Sequence, residues 1–328
     1  MRSTKLPSWI DRLLGFEPVP VPPHVFALDE ERLRYGQFTR DRHGFRLRGY
    51  REAALPRDPF HHGPLGGPPR DPVAFRGLVA GLVASIPGGV KDASLVLPDA
   101  WLRVTFTESG ELPGTADALD EVLRWKLRRL VPFRVDELRV GATEVSPIPG
   151  QEEPGRLLLG FGVEQLLAQV EEAFAAAGVR IGQVTNDSLS LLAAIVPASP
   201  GSFAALVVVG AEGYTLIFAR GSEPVLHRYK AFTGTLPEAA RASFVGRDLK
   251  LTRNFLDEHF SGSALSQVLL LAAPELEPAW LDRLEEGLGS PAAPLDGRHL
   301  PPLRVEEAAV PAWRDLAPML GAARQEMA

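Results

Sequence analysis

The sequence predicts an α/β protein of two three-layer lobes, with a small α+β subdomain set into the first. Three observations lead there. The 328 residues exceed the span of one ordinary hydrophobic core. Through the C-terminal half, fully apolar runs alternate with amphipathic ones, as when strands are covered by helices. Between Ser94 and Ile195 the order reads strand, helix, strand, strand, helix, strand, that of a compact α+β unit. The expected divisions are an N-terminal segment and proline-rich spacer over 1–23, the start of the first lobe over 24–93, the inserted subdomain over 94–195, and the second lobe with a C-terminal return over 196–328.

In chain order, Trp9, Ile10, Leu13 and Leu14 give a weak helical stripe broken by Asp11 and Arg12. It reads first as a short helix packed on the body or frayed, and second as an interfacial membrane helix. The PVPVPP run after it is an extended spacer. From His24 to Pro56 the pattern gives three short strands with a turn at Arg40–Gly44, and 56–72 is a loop rich in proline and glycine. Within it His61 and His62 stand without further ligands in sequence, so no metal is expected there. An amphipathic helix follows over 73–86, then one or two strands around Pro98.

Leu119, Val122, Leu123, Lys126, Leu127 and Leu130 recur at helical spacing and predict a helix over 117–130, with Lys126 tolerated only if its stem packs and its ammonium reaches water. Pro132 ends that helix at a fixed corner, and Phe133 leads into the extended run 136–140. Next come a strand at 157–161, a helix at 163–178 stopped by Gly178, and a strand at 179–187. Strands at 204–211, 215–221 and 223–232 form a meander. A helix over 236–260, a buried strand at 266–272, a helix stopped by Gly289 and a last helix around 313–323 complete the chain.

Composition excludes several functions. With 35 basic and 41 acidic residues the net charge is −6, which favours neither nucleic acid nor an anionic membrane surface. The absence of cysteine removes disulfide and thiol chemistry and fits a cytoplasmic protein. No run approaches the roughly 20 apolar residues needed to cross a bilayer, and no signal-peptide cleavage pattern follows the N-terminal segment.

Four stretches in order, LVLPDAWLRVTF, LRWKLRRLVPFRVDEL, VEEAFAAAGVRIGQVTNDSLSLLAAI and LVVVGAEGYTLIFARGSEPVLHRYKAFTG, resemble the type IV pilus assembly proteins of the PilM family, relatives of FtsA and of the cytoplasmic part of GspL. The resemblance covers most of 24–328. It implies an actin-like (ribonuclease H-like) two-lobe fold with the inserted subdomain in its FtsA and PilM place. The implied partner is a PilN-like bitopic membrane protein, with the pilus motor or other platform proteins as further candidates. No nucleic acid is implied, and the chain would lie in the cytoplasm, peripheral at the inner membrane through its partner. A chain end at Ala328 favours this reading over a GspL-like secretion component, which would continue into a membrane helix.

The nucleotide chemistry of such a fold sits in three turns, and all three depart from the pattern. The first phosphate loop, an Asp-x-Gly in the family, reads FALDEERLRYGQF: Asp29 fits only with a shift, Glu30 and Glu31 would face phosphate, and no glycine precedes Gly36. In the second, Gly210 and Thr215 are recognisable, but Val208 stands at the carboxylate position that holds the hydrated metal. In the adenosine loop Ala272, Ala273 and Pro274 replace close-approach glycines. The residues imply a scaffold without ATP or magnesium, not an enzyme. An actin-like ATPase with altered loops, retaining Asp29, Gly210 and Thr215, is the alternative. No other catalytic motif is present.

The resemblance also implies a groove between the first lobe and the subdomain that takes the partner's cytoplasmic N-terminus. With Leu119, Leu123, Leu127 and Leu130 turned inward, Arg124, Trp125 and Arg128 fall on neighbouring stripes of the 117–130 helix and Phe133 at its corner. Two roles fit the aromatic pair: lining that groove with the arginines, or completing the subdomain core while the arginines face solvent.

Overall fold

The computed structural model describes residues 23–132, 134–145, 155–195, 202–220, 223–232, 238–260, 264–305 and 311–324. The N-terminal stripe at Trp9–Leu14, the spacer up to Pro22, and Phe133 lie outside them. The chain begins with three antiparallel strands, β1 (His24–Leu28), β2 (Arg32–Asp41) and β3 (Gly44–Ala54). There follow α1 (Pro72–Ala84), β4 (Asp92–Leu97), β5 (Arg103–Glu108), α2 (Ala116–Arg128), β6 (Leu138–Val145), β7 (Arg156–Val163), α3 (Glu164–Ala176), β8 (Arg180–Asn186) and the one-turn α4 (Asp187–Ser190). Then come β9 (Phe203–Val209), β10 (Gly213–Arg220), β11 (Glu223–Ala231), α5 (Glu238–His259), β12 (Leu265–Leu271), α6 (Glu277–Leu288), β13 (Ala292–Pro294), β14 (Leu303–Val305) and α7 (Trp313–Arg324).

Local chemistry sets several of these ends. Asp71 caps α1, its Oδ1 accepting from Val73 N at 3.0 Å and Ala74 N at 2.9 Å, with Pro72 in the first turn where its missing N–H costs nothing. Gly178 and Gly289 take φ of +78° and +66° just beyond α3 and α6, the left-handed stop that the sequence marked at both places.

Two compact units result. The described residues up to Val145, those from Gly155 to Ser190 and those from Pro301 onward form the first; Leu191–Leu300 form the second. The first unit carries a six-stranded sheet in the order β14-β3-β2-β1-β4-β8, parallel from β1 through β4 to β8. Phe26 and Tyr35 face each other across β1 and β2, with rings 5.1 Å apart, and Phe26 stacks at 4.8 Å on Phe174 of α3. A Cβ on Gly36, the next residue along, would instead meet Met319 of α7. Helices therefore cover both faces, α3 on one and α7 on the other. The second unit has its own sheet, β11-β10-β9-β12-β13, with α5 and α6 on the face of Phe203, Val207, Tyr214 and Leu270.

β1 and β9, which carry VFALDE and LVVVGA, thus stand in separate sheets. The subdomain is smaller than 94–195. Its own sheet is antiparallel, in the order β5-β7-β6, and α2 packs on it through Leu119, Leu123 and Leu127 against Val140, Ala142, Leu157, Leu159 and Phe161. β4 and β8 belong to the six-stranded sheet. The reason is burial: Ala93 through Leu97 are buried in succession, which demands a sheet covered on both faces. At the C-terminal end β14 pairs with β3, and α7 packs on β1 and β4.

Leu130, expected on the buried face of the 117–130 helix, is 46% exposed. The helix ends at Arg128, so Leu130 lies beyond the last turn that could hold it against the sheet. Lys126 behaves as its position requires, with its Nζ donating to Glu108 O at 2.8 Å.

Candidate functional site

The β1–β2 turn is closed by its own aspartate. Asp29 Oδ1 accepts from Glu31 N and from Arg32 N, both at 2.8 Å, and Asp29 N donates to Arg32 O at 3.1 Å. Its other oxygen pairs with Arg34, whose guanidinium also binds Asp315 of α7. Arg32 adds a contact of 3.3 Å to Asp315. Arg34 is only 8% exposed; burial works against its charge, but the carboxylates of Asp29 and Asp315 more than offset that and hold its pKa above the ordinary value. Asp187, at the start of α4, is pushed up to about 6 by burial, against the attraction of Arg34 and Arg314 and with the repulsion of Asp29 and Asp315. The Glu31 and Arg32 amides of this turn are thus donated to Asp29.

The second unit holds the other two turns. Gly210 N donates to Gly213 O at 2.8 Å, closing the β9–β10 hairpin. Val208 and Thr215 are cross-strand partners; Val208 is buried, and Thr215 Oγ1 is buried without a hydrogen-bond partner among the described residues. After β12, Ala272 sits in the core of this unit, and Ala273 O accepts from Leu276 N at 2.9 Å and Glu277 N at 3.2 Å to begin α6. Asp29 lies in the first unit, Gly210 and Thr215 in the second. His62 pairs with Asp58 at 3.0 Å, and among the described residues no three His, Asp or Glu side chains gather as a metal would require.

Of the residues expected to line a peptide groove, Arg124, Trp125 and Arg128 stand on α2, and Phe133 lies outside the described residues. Arg124 is half-buried, with Nε on Asp120 Oδ2 at 2.6 Å and Nη1 on the carbonyls of Val135 at 2.7 Å and Leu138 at 2.8 Å. It ties the helix to the corner. Trp125 is 55% exposed with the Arg129 guanidinium 5.3 Å from its ring centroid, and Arg128 reaches Asp136 at 3.3 Å.

A groove does lie between the subdomain and the six-stranded sheet, but α2 does not border it. Strand alternation decides this. Leu138, Val140, Ala142, Leu157, Leu159 and Phe161 face α2, so Arg139, Gly141 and Gly160 face the opposite way. There they line a cavity of about 180 Å³ with Leu102, Leu167 and Glu171 of α3, and Ile181 to Val184 of β8. Gly141 and Gly160 are direct cross-strand partners, giving a floor without side chains. β8 is the last strand of its sheet, with none beyond it among the described residues. A Cβ on Gly182 would meet no atom within 4 Å. The residues missed from sequence are these: the mid-strand glycines in RVGATEV and LLLGFGV were the available sign of a close backbone approach.

No protein-family model matches the chain, and no curated protein does. Among solved structures, a chain of the PilM–PilN type IV pilus biogenesis complex superposes with a TM-score of 0.66 at 15% identity, over 94% of this chain and 98% of that one. The cytoplasmic domain of EpsL, an inner membrane component of the type II secretion system of Vibrio cholerae, aligns over 92% of this chain and 93% of its own at 11% identity, with a TM-score of 0.46. A Bacteroides thetaiotaomicron protein with an actin-like ATPase fold covers 90% and 94% at 8% identity, with a TM-score of 0.47. The first likeness shows that this chain shares the fold of a chain of that complex; the other two are too distant to argue from.

Proposed function

We propose that this chain is a non-enzymatic scaffold of an inner-membrane assembly platform, of a type IV pilus or a related secretion machine. Its groove would hold an extended cytoplasmic segment of a PilN-like membrane partner. One observation carries the reading: the bare Gly141–Gly160 floor lies beside the open edge of β8. Such an edge offers main-chain groups to an added strand, and a floor without side chains admits its backbone closely. The likeness to a chain of the PilM–PilN complex supports the same assignment.

Nucleotide turnover has no part in this reading, because Asp29 engages the amides of its own turn and Val208 replaces a metal-binding carboxylate. No ATP or magnesium is assigned. Among the described residues no helix is long and apolar enough to cross a membrane, so attachment at the inner membrane would come through the partner. Trp125 and Arg128, exposed on α2, are left for a second contact with the platform.

The test starts from detergent-solubilised membranes passed over the immobilised full-length chain, followed by titration with a synthetic peptide of the recovered partner's cytoplasmic segment. Gly182→Phe projects a ring into the groove from a position with open space around it. It should weaken peptide binding at least about tenfold while the melting midpoint holds. Undiminished affinity in that variant would move the binding surface elsewhere.

A further inference from the structure

The rim of the groove carries unequal charge. Arg139 of β6 gives Nε and Nη2 to the two oxygens of Glu164, each at 2.8 Å, and Nη1 to Glu171 Oε1 at 2.7 Å. Glu164 takes the planar fork through both oxygens and its carboxyl is held below the usual range by that bond. Glu171 is bound through one oxygen, and its Oε2 has no hydrogen-bond partner among the described residues. Arg124, which also acts on Glu164, is itself paired with Asp120 and so adds no net charge. One guanidinium therefore serves two carboxylates, and the rim keeps one negative charge in excess. Glu171 and Arg139 both line the groove, whose remaining lining is apolar or neutral.

Resting on the peptide-groove reading above, we propose that Glu171 sets the specificity of the groove by accepting a cationic group of the bound segment, with Arg139 holding the Glu171 carboxylate in position. The group is an ammonium or guanidinium, and it has two sources: a lysine or arginine side chain, or a free amino terminus. Either would meet a carboxylate already fixed by Arg139, so little side-chain freedom is lost on binding.

The experiment uses heptapeptides tethered by their carboxyl ends, each in a free-amine and an acetylated form, probed with the tagged full-length chain. Bound peptides should share a cation at one register and outbind their neutral counterparts about fivefold. Loss of that contrast on acetylation assigns the amino terminus; persistence of a lysine or arginine requirement in acetylated peptides assigns a side chain. Glu171→Gln should abolish the contrast without moving the melting midpoint, whereas Glu172→Gln, on the neighbouring residue that pairs with Arg76, should retain it. Peptides bound without charge preference, or a preference that survives Glu171→Gln, overturn this inference and leave the groove in place. Binding that is absent altogether, or indifferent to Gly182→Phe, overturns the groove reading as well.

Discussion

At the scale of single residues, burial makes the contribution of Asp187 to the fold depend on pH. Asp187 has its pKa raised from 3.8 to about 6 in the folded chain, so the fold prefers it protonated. A carboxyl that binds its proton more tightly when folded contributes its stability fully at pH values below its unfolded pKa. That contribution is lost as pH rises through the folded value. Asp187→Asn should therefore stabilise the protein at neutral pH by on the order of 2 kcal/mol, with the gain shrinking to nothing below about pH 3. Chemical denaturation of both proteins at several pH values checks this; a gain independent of pH would refute it. In the sequence Asp29 stood out only as a shifted phosphate-loop carboxylate, and its closure of its own turn was not legible there. Nor was its pairing with Arg34, or that of Arg34 with Asp315 of the last helix, because nothing local marks a contact across 281 positions.

Among the elements, α2 shows what periodicity conveys and where it stops. Leu119, Leu123 and Leu127 were legible as the buried stripe because a helix repeats its inward positions. What stands on the far side of the receiving sheet has no such signature. The arginines of α2 therefore looked equivalent in sequence, whereas Arg124 bonds two backbone carbonyls and Arg128 makes a surface pair. Arg124→Glu should cost about 2 kcal/mol or more, since a carboxylate would replace a donor between the Val135 and Leu138 oxygens. Arg128→Glu and Trp125→Ala should stay within about 0.5 kcal/mol of the parent. Equal melting midpoints for Arg124→Glu and Arg128→Glu would mean that Arg124 does not brace the corner.

For the whole molecule, the order of strands and helices was readable because each element announces its own period. The assignment of β4 and β8 to the six-stranded sheet was not, since apolar runs do not say which sheet they join. The cavity beside β8 follows from that assignment, which is why no sequence period pointed to it. The residue types at the three turns, by contrast, could be read directly, as they stand at fixed places in the sequence. Addition of about 1 mM ATP with magnesium should leave the melting midpoint where it is, since a ligand that binds the native state raises it by mass action. A clear rise would restore a nucleotide to the account.

The central claim is that a partner segment lies along β8 over the Gly141–Gly160 floor. Backbone hydrogen exchange, measured on the full chain with and without a saturating peptide of the partner's cytoplasmic segment, reads that strand directly. Slowed exchange centred on Ile181–Val184, with α2 unchanged, is the expected result. Protection confined to Ala116–Arg128, with β8 exchanging as before, would contradict it.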